Sequence, residues 1–255
     1  MRLDCVLTAT NDNPMYMGFI PIFVKAWNKL YPDTDVKIIF IGENIPDELH
    51  AYKDNIILFP HIQGIPSASI SQYVRLLYPA LLDYEEGILI TDMDMLPMSK
   101  TYYSEPIKDI SKDGFVHWLC PGLGHDELAM CYNIARNTTW GEIFQITSIK
   151  DVTERLEFVY KKNPLPRAHS WFCDQLHLQH AIKHWGERES RLTIIPPSED
   201  ATFRRLCRSR DNPAHPETIQ RIRDGYYVDY HAHRPYDQYK EVNDLVLSLL
   251  PSSEN

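Results

Sequence analysis

At 255 residues the chain has room for one large α/β domain or two small ones, and it can bury a sizeable core without disulfides or structural metals. Its 26 Lys and Arg stand against 35 Asp and Glu, a net charge of −9, which excludes a nucleic-acid surface as its main business but leaves room for a local basic pocket. Apolar residues make up 44%, the ordinary share of a globular protein, and no run approaches the ~20 residues of a membrane span.

Residues 3–8 are apolar and β-branched and predict a core strand; no signal-peptide pattern precedes them. Five cysteines, at 5, 120, 131, 173 and 207, form an odd set with no Cys-x-x-Cys pairing. They read as reduced thiols, so the expected location is cytoplasmic. Thr8 to Pro14 is a loop by its Asn, Asp and Pro content. Residues 15–30 show helical spacing, with Phe19, Ile22, Phe23, Ala26, Trp27 and Leu30 on one face. Residues 36–41 are a second strand, 46–52 a short helix, and 56–59 a third strand stopped by Pro60. Residues 69–82 predict a helix capped by Ser69 or Ser71. Tyr73, Leu76, Leu77, Ala80 and Leu81 form its buried stripe, and Arg75 lies off it. A strand over 87–91 follows. The order β-α-β-β-α-β predicts a mainly parallel sheet covered by helices.

That last strand runs into Asp92-Met93-Asp94. Side chains alternate along a strand, so Asp92 and Asp94 are expected on one side, with Met93 facing away. Two carboxylates that close need a positive partner. Mg²⁺ or Mn²⁺ suits them, since both take carboxylate oxygens. In open α/β sheets the ligand crevice lies at the carboxyl ends of the strands, where this pair falls. The plain alternative is a surface turn, in which Asp-x-Asp is common. The apolar strand ahead of the pair favours the metal.

Beyond the pair, residues 115–119 and 128–134 predict strands around a turn at 120–124. Residues 140–149, 152–161 and 171–185 predict helices, with a break at 163–167. Strands follow at 191–195 and 226–230, then a helix at 242–250 and a frayed tail. No linker is evident, so the chain reads as one domain. Asp174 and Gln175 open the 171–185 helix. An acid there suits the helix dipole, or else lines a crevice wall and orients a sugar hydroxyl. His177, His180 and His184 read as a solvated face, without the His-Glu-x-x-His of a zinc helix. Residues 199–224 are polar and hold Arg204, Arg205, Arg208, Arg210, Arg221 and Arg223, either a lid over phosphates or a solvated loop. His231 and His233 share a side on an extended segment, and an imidazole beside the two aspartates favours Mn²⁺ over Mg²⁺. Two ordinary surface histidines are the alternative.

Several stretches together resemble glycosyltransferase family 8, the glycogenin and lipopolysaccharide-galactosyltransferase group. LTATNDNPMY, from Leu7 to Tyr16, followed by an amphipathic helix, is similar to its opening. SQYVRLLYPALL, from Ser71, followed by ILITDMDML, from Ile88, is similar to its helix and Asp-x-Asp block and is the most specific part. MCYNI from Met130, Asp174-Gln175, and HAHRPY from His231 fall in the family's order over most of the chain. Two departures stand out. An Asn-Ser-Gly is not evident at Tyr132-Asn133, and His231 lies closer to Arg234-Pro235 than the family spacing.

The resemblance implies an α/β, GT-A (Rossmann-like) fold with a mixed, mainly parallel sheet and helices on both faces. It implies one domain over 1–255, with a nucleotide-sugar-binding half at 1–98 and an acceptor-side half at 99–255. The implied enzyme is a hexosyltransferase-type glycosyltransferase using a nucleotide-sugar donor, UDP-sugar first, and a glycan or other hydroxyl acceptor. Thr8, Thr10, Asn11 and Tyr16 would hold the nucleoside, and Asp92 would also touch the ribose. Arg75 would reach the donor or steady the aspartates. Asp92, Asp94 and His231 would hold Mn²⁺, with Mg²⁺ as substitute and His233 as the other third ligand. Asp174 would face the sugar or acceptor as the catalytic candidate. Retention or inversion, the sugar and the number of subunits stay open. The rivals are a haloacid-dehalogenase-like phosphatase, with Asp92 as nucleophile, and a non-catalytic carbohydrate-binding protein.

Overall fold

The computed structural model describes residues 1–118, 128–162, 172–196 and 204–251. Leu119, the turn at 120–124, the break at 163–167, Trp171 and the tail from 252 lie outside the described residues.

A seven-stranded sheet carries the molecule. Its strands are β1 (Leu3–Asn11), β2 (Asp35–Ile41), β3 (Ile56–Phe59), β4 (Gly87–Ile90), β6 (Phe115–Trp118), β7 (Asn133–Ala135) and β8 (Leu192–Ile195), in the order β3-β2-β1-β4-β7-β6-β8. β1 pairs in parallel with β2 and β4, β2 with β3, and β6 with β8. β7 alone among these runs antiparallel to both neighbours. The sheet is therefore mixed and mainly parallel, as expected.

Helices cover both faces. α1 (Ile20–Leu30) and α7 (Lys240–Leu249) pack on one, where Phe23, Trp27 and Val246 join the core. α2 (Ser67–Leu77), α3 (Asn137–Phe144), α4 (Ile149–Lys162) and α5 (Cys173–Glu189) pack on the other, around Tyr73, Trp140, Leu156 and Trp185. Two covered faces explain why β4 reads as an unbroken apolar run with all four residues buried. Gly87 starts β4 because a Cβ there would stand 2.4 Å from Ile134 Cδ1 and 2.8 Å from the Arg2 carbonyl oxygen. None of the described helices is long and apolar enough to cross a membrane.

A second sheet of three short strands was not legible beforehand. β5 (Met95–Pro97) and β9 (Arg205–Cys207) flank β10 (Asp229–His231), antiparallel and parallel respectively. α6 (Pro216–Arg223) follows β9. The arginine-rich stretch expected as a lid or loop thus contains a strand and a helix. Elsewhere the elements stand close to expectation, with shifts. The strand expected at 128–134 shrinks to β7, and α2 gives way at Tyr78 to a 3-10 turn through Leu81.

Candidate active site

A crevice of about 440 Å³ opens at the carboxyl ends of β1 and β4. That volume lies within the roughly 300–1,000 Å³ of small-molecule sites. Its lining comes from both ends of the chain.

The first wall is held by Arg75 on α2. Its Nη2 donates to Asp174 Oδ2 at 3.0 Å and its Nη1 to Asp92 Oδ1 and the Thr91 carbonyl, the latter at 3.1 Å. The side chains of Arg75 and Asp174 are only 9% and 3% exposed. Off the apolar stripe, Arg75 is nevertheless buried, because α5 brings an acid over it. Burial alone would lower the guanidinium pKa; the charges of Asp92 and Asp174 outweigh it and raise it. Burial pushes the Asp174 carboxyl up, against the pull of Arg75.

The aspartate pair does not lie on an extended strand. β4 stops at Ile90, and the Met95 amide donates to the Asp92 carbonyl at 3.1 Å, closing a turn. The turn cancels the expected alternation. Asp92 goes to Arg75, Asp94 goes to the opposite wall, and Met93 lines the crevice rather than facing away.

The second wall is set by β10. Its antiparallel register places His231 opposite Met95, and the Ala232 amide donates to the Asp94 carbonyl at 2.9 Å. His231 Nε2 therefore stands 3.5 Å from Asp94 Oδ2. Arg208, whose amide donates to the His231 carbonyl, reaches the same Oδ2 with Nη1 at 2.6 Å and the Ala232 carbonyl at 2.8 Å. Arg234 Nη1 lies 3.5 Å from that oxygen, and its guanidinium stacks over the Tyr16 ring and donates to its hydroxyl. Burial would raise the Asp94 pKa; His231, Arg208 and Arg234 hold it below the usual carboxylate range.

Thr10, Asn11, Tyr16, Arg75, Asp92, Asp94, Asp174 and His231 all line the crevice. Thr8 does not. It sits two residues deeper on β1, fully buried, its Oγ1 without a hydrogen-bond partner among the described residues. His233 does not either. β10 ends at His231, so the two histidines part; the His233 ring packs beside Tyr230 and Tyr239, and its amide donates to Asn243 Oδ1 at 3.2 Å. The sequence did not single out Arg205, Arg208 or Arg234 as lining residues; the signals were arginine density for the first two and the HAHRPY stretch for Arg234. Gln175 joins them, its side-chain Oε1 buried without a partner among the described residues. Met130 and Cys131 complete the far side. Next to them Tyr132 holds φ at 123°, a strained backbone costing about 1–3 kcal/mol. Its ring stacks on Tyr103 and its hydroxyl accepts from Arg205.

The expected Mn²⁺ ligands do not fit a divalent ion as they lie. Asp94 and His231 meet, but Asp92 is drawn to Arg75. Among the described residues no group of three His, Cys, Asp or Glu side chains is arranged to hold a metal. In the structure the cations paired with these carboxylates are the guanidinium groups of Arg75, Arg208 and Arg234.

Fold and crevice together define a GT-A-type α/β scaffold, the fold of nucleotide-sugar-dependent glycosyltransferases. Among solved structures, the galactosyltransferase LgtC, crystallised with donor and acceptor sugar analogs, is similar at 15% identity over 98% of each chain, TM-score 0.50. The glycosyltransferase GlyE of Streptococcus pneumoniae TIGR4 shares 14% identity over 99% of this chain and 66% of its own, TM-score 0.53. The bifunctional glycosyltransferase WbbM shares 11% over 98% and 50%, TM-score 0.54. No protein-family model and no curated protein matches the chain.

Proposed function

We propose that this chain is a glycosyltransferase that moves a sugar from a nucleotide-sugar donor, UDP-sugar first, to a hydroxyl of a glycan or other acceptor. One observation carries the reading. Asp92 and Asp94, from the turn after β4, and Asp174 and Gln175, from the start of α5, converge on one crevice at the strand ends of a GT-A sheet. Chance does not gather three acids and four arginines, Arg75, Arg205, Arg208 and Arg234, at the ligand end of an open sheet in a chain of net charge −9.

The chemistry follows from these side chains. Cleaving the anomeric C–O bond leaves an anionic nucleoside diphosphate and an oxocarbenium-like sugar. Thr10, Asn11 and Tyr16 would border the nucleoside. Arg75 fixes Asp92 and Asp174 so that neither swings when charge develops. Asp174, tied to Arg75, also accepts from the Gln175 backbone amide through Oδ1 at 2.9 Å and so holds the first turn of α5 that carries Gln175. The side-chain Oε1 of Gln175, without a partner among the described residues, would accept a hydrogen bond from a sugar hydroxyl. Donors preset around the leaving group act most strongly in such a water-poor site.

The phosphatase alternative needs Asp92 free to attack phosphorus, and Arg75 holds that carboxylate. The test is a panel of UDP- and GDP-sugars, with release of nucleoside diphosphate read by mass spectrometry with and without Mn²⁺. Asp94→Asn should slow release by about 10²-fold or more with its far-UV circular dichroism intact. Full activity in that variant would reject the role given to Asp94, and donor binding with no release under any condition would reject the enzyme and leave a carbohydrate-binding protein.

A further inference from the structure

Arg208 makes the shortest contact with Asp94 Oδ2, the oxygen a cation would take, and it is built into that place. Its backbone amide is bonded to the His231 carbonyl, and its Nη1 bridges Asp94 Oδ2 at 2.6 Å and the Ala232 carbonyl at 2.8 Å. Its side chain keeps 18% of its surface open toward the crevice. Arg234 stands behind it, held over the Tyr16 ring and 3.5 Å from the same carboxylate oxygen. Arg205, the other arginine of this wall, is tied to the buried Asp229 at 3.0 Å, which leaves Arg208 and Arg234 as the guanidinium groups beside Asp94. Meanwhile Asp92 is engaged by Arg75, and among the described residues the three expected ligands are not gathered around one point.

The geometry points to a diphosphate site built on guanidinium charge. Arg208 and Arg234 receive the diphosphate of the donor, Asp94 is the residue that positions them, and binding does not require a divalent ion. The inference rests on the nucleotide-sugar reading above. A guanidinium fits it chemically, because its planar array of N–H donors matches phosphate oxygens in pairs and stays charged at any working pH. Arg208 can give Asp94 one N–H and still present others to a ligand.

Calorimetric titration of the full chain tests it, with UDP and inorganic pyrophosphate as probes, in EDTA and again in MnCl₂. Both probes should bind in EDTA, and Mn²⁺ should change the Kd of UDP by less than about threefold. Arg208→Ala and Arg234→Ala should each raise it about 10- to 100-fold, the worth of a charge-assisted hydrogen bond. Arg208→Lys should recover part of the loss, since it restores the charge without the fork. Thermal melting of each variant in buffer separates lost binding from lost folding. UDP binding that appears only with Mn²⁺ would overturn the inference and leave the glycosyltransferase reading standing. Unchanged UDP affinity in a folded Arg208→Ala would also overturn it. Pyrophosphate binding in EDTA that Arg208→Ala weakens, with no preference for any nucleoside diphosphate, would support the arginine site and remove the donor reading. Failure of every probe with or without metal would overturn both.

Discussion

The two walls of the crevice use arginine in opposite ways. On the α2 side Arg75 is sealed in, with both guanidinium ends spent on Asp92 and Asp174. On the β10 side Arg208 is partly open and shares one carboxylate with His231 and Arg234. A buried cation with two fixed acids is architecture; a cation at a rim with spare donors is available to a ligand. The difference shows that counting arginines near a site says little until their remaining donors are traced.

Stability separates the walls most sharply. Arg75→Met would leave Asp174 buried without its cation, costing about 3–5 kcal/mol in urea unfolding. Arg208→Ala should cost less than about 1 kcal/mol, because Asp94 keeps His231 and Arg234. Equal losses in the two variants would erase the distinction. A smaller effect probes the second wall's own support. Tyr230 donates through its hydroxyl to Asn243 Oδ1 at 2.7 Å in the core. Tyr230→Phe should cost about 1–1.5 kcal/mol, read as a melting point about 2–6 °C lower, and no change would mean that β10 does not depend on that bond.

The smallest effect lies at the outer edge of the first wall. His177 packs edge-on to Tyr73, and burial followed by the charge of His180 depresses its pKa to about 4. The folded state thus takes up its proton later than the unfolded chain, whose value is near 6.5. Stability from this residue is complete above pH ~6.5 and falls as the pH drops toward 4. Between pH 7 and 5 the loss should be under about 1 kcal/mol, since the ring is partly exposed. His177→Phe should flatten the melting curve over that interval; an unchanged slope would contradict the assignment.

The first wall was also the more readable one. β1 to β4 are buried strands joined by strongly periodic helices, and the apolar run 87–90 ending in acids marked the crevice before any coordinates did. β5 and β9 have three residues each, too short for alternation to register, and β10, expected at 226–230, runs over Asp229–His231 with partners the sequence did not reveal. Arg208 was therefore unplaced, although the arginine density of 199–224 was visible, and Arg234 stood in HAHRPY without a role. The pairing of His231 with His233 failed for a related reason: it assumed an extended chain past the residue where the ladder ends. Asp92 and Asp94 erred the same way, because a turn replaced the strand. Thr8 was carried by likeness of motif, and depth along β1 took it out of reach.

β10 lies between β5 and β9, so a single register couples the turn that holds Asp94 to the strand that launches Arg208. Deleting one residue within 229–231 would turn Tyr230, now fully buried, toward the crevice and fold His231 inward, and deleting one within 95–97 would reverse the faces of β5 and displace the turn that holds Asp94. Length in these two segments is consequently less negotiable than composition. A descendant of this gene could exchange most of their side chains long before it could tolerate a frame-preserving gain or loss of one codon.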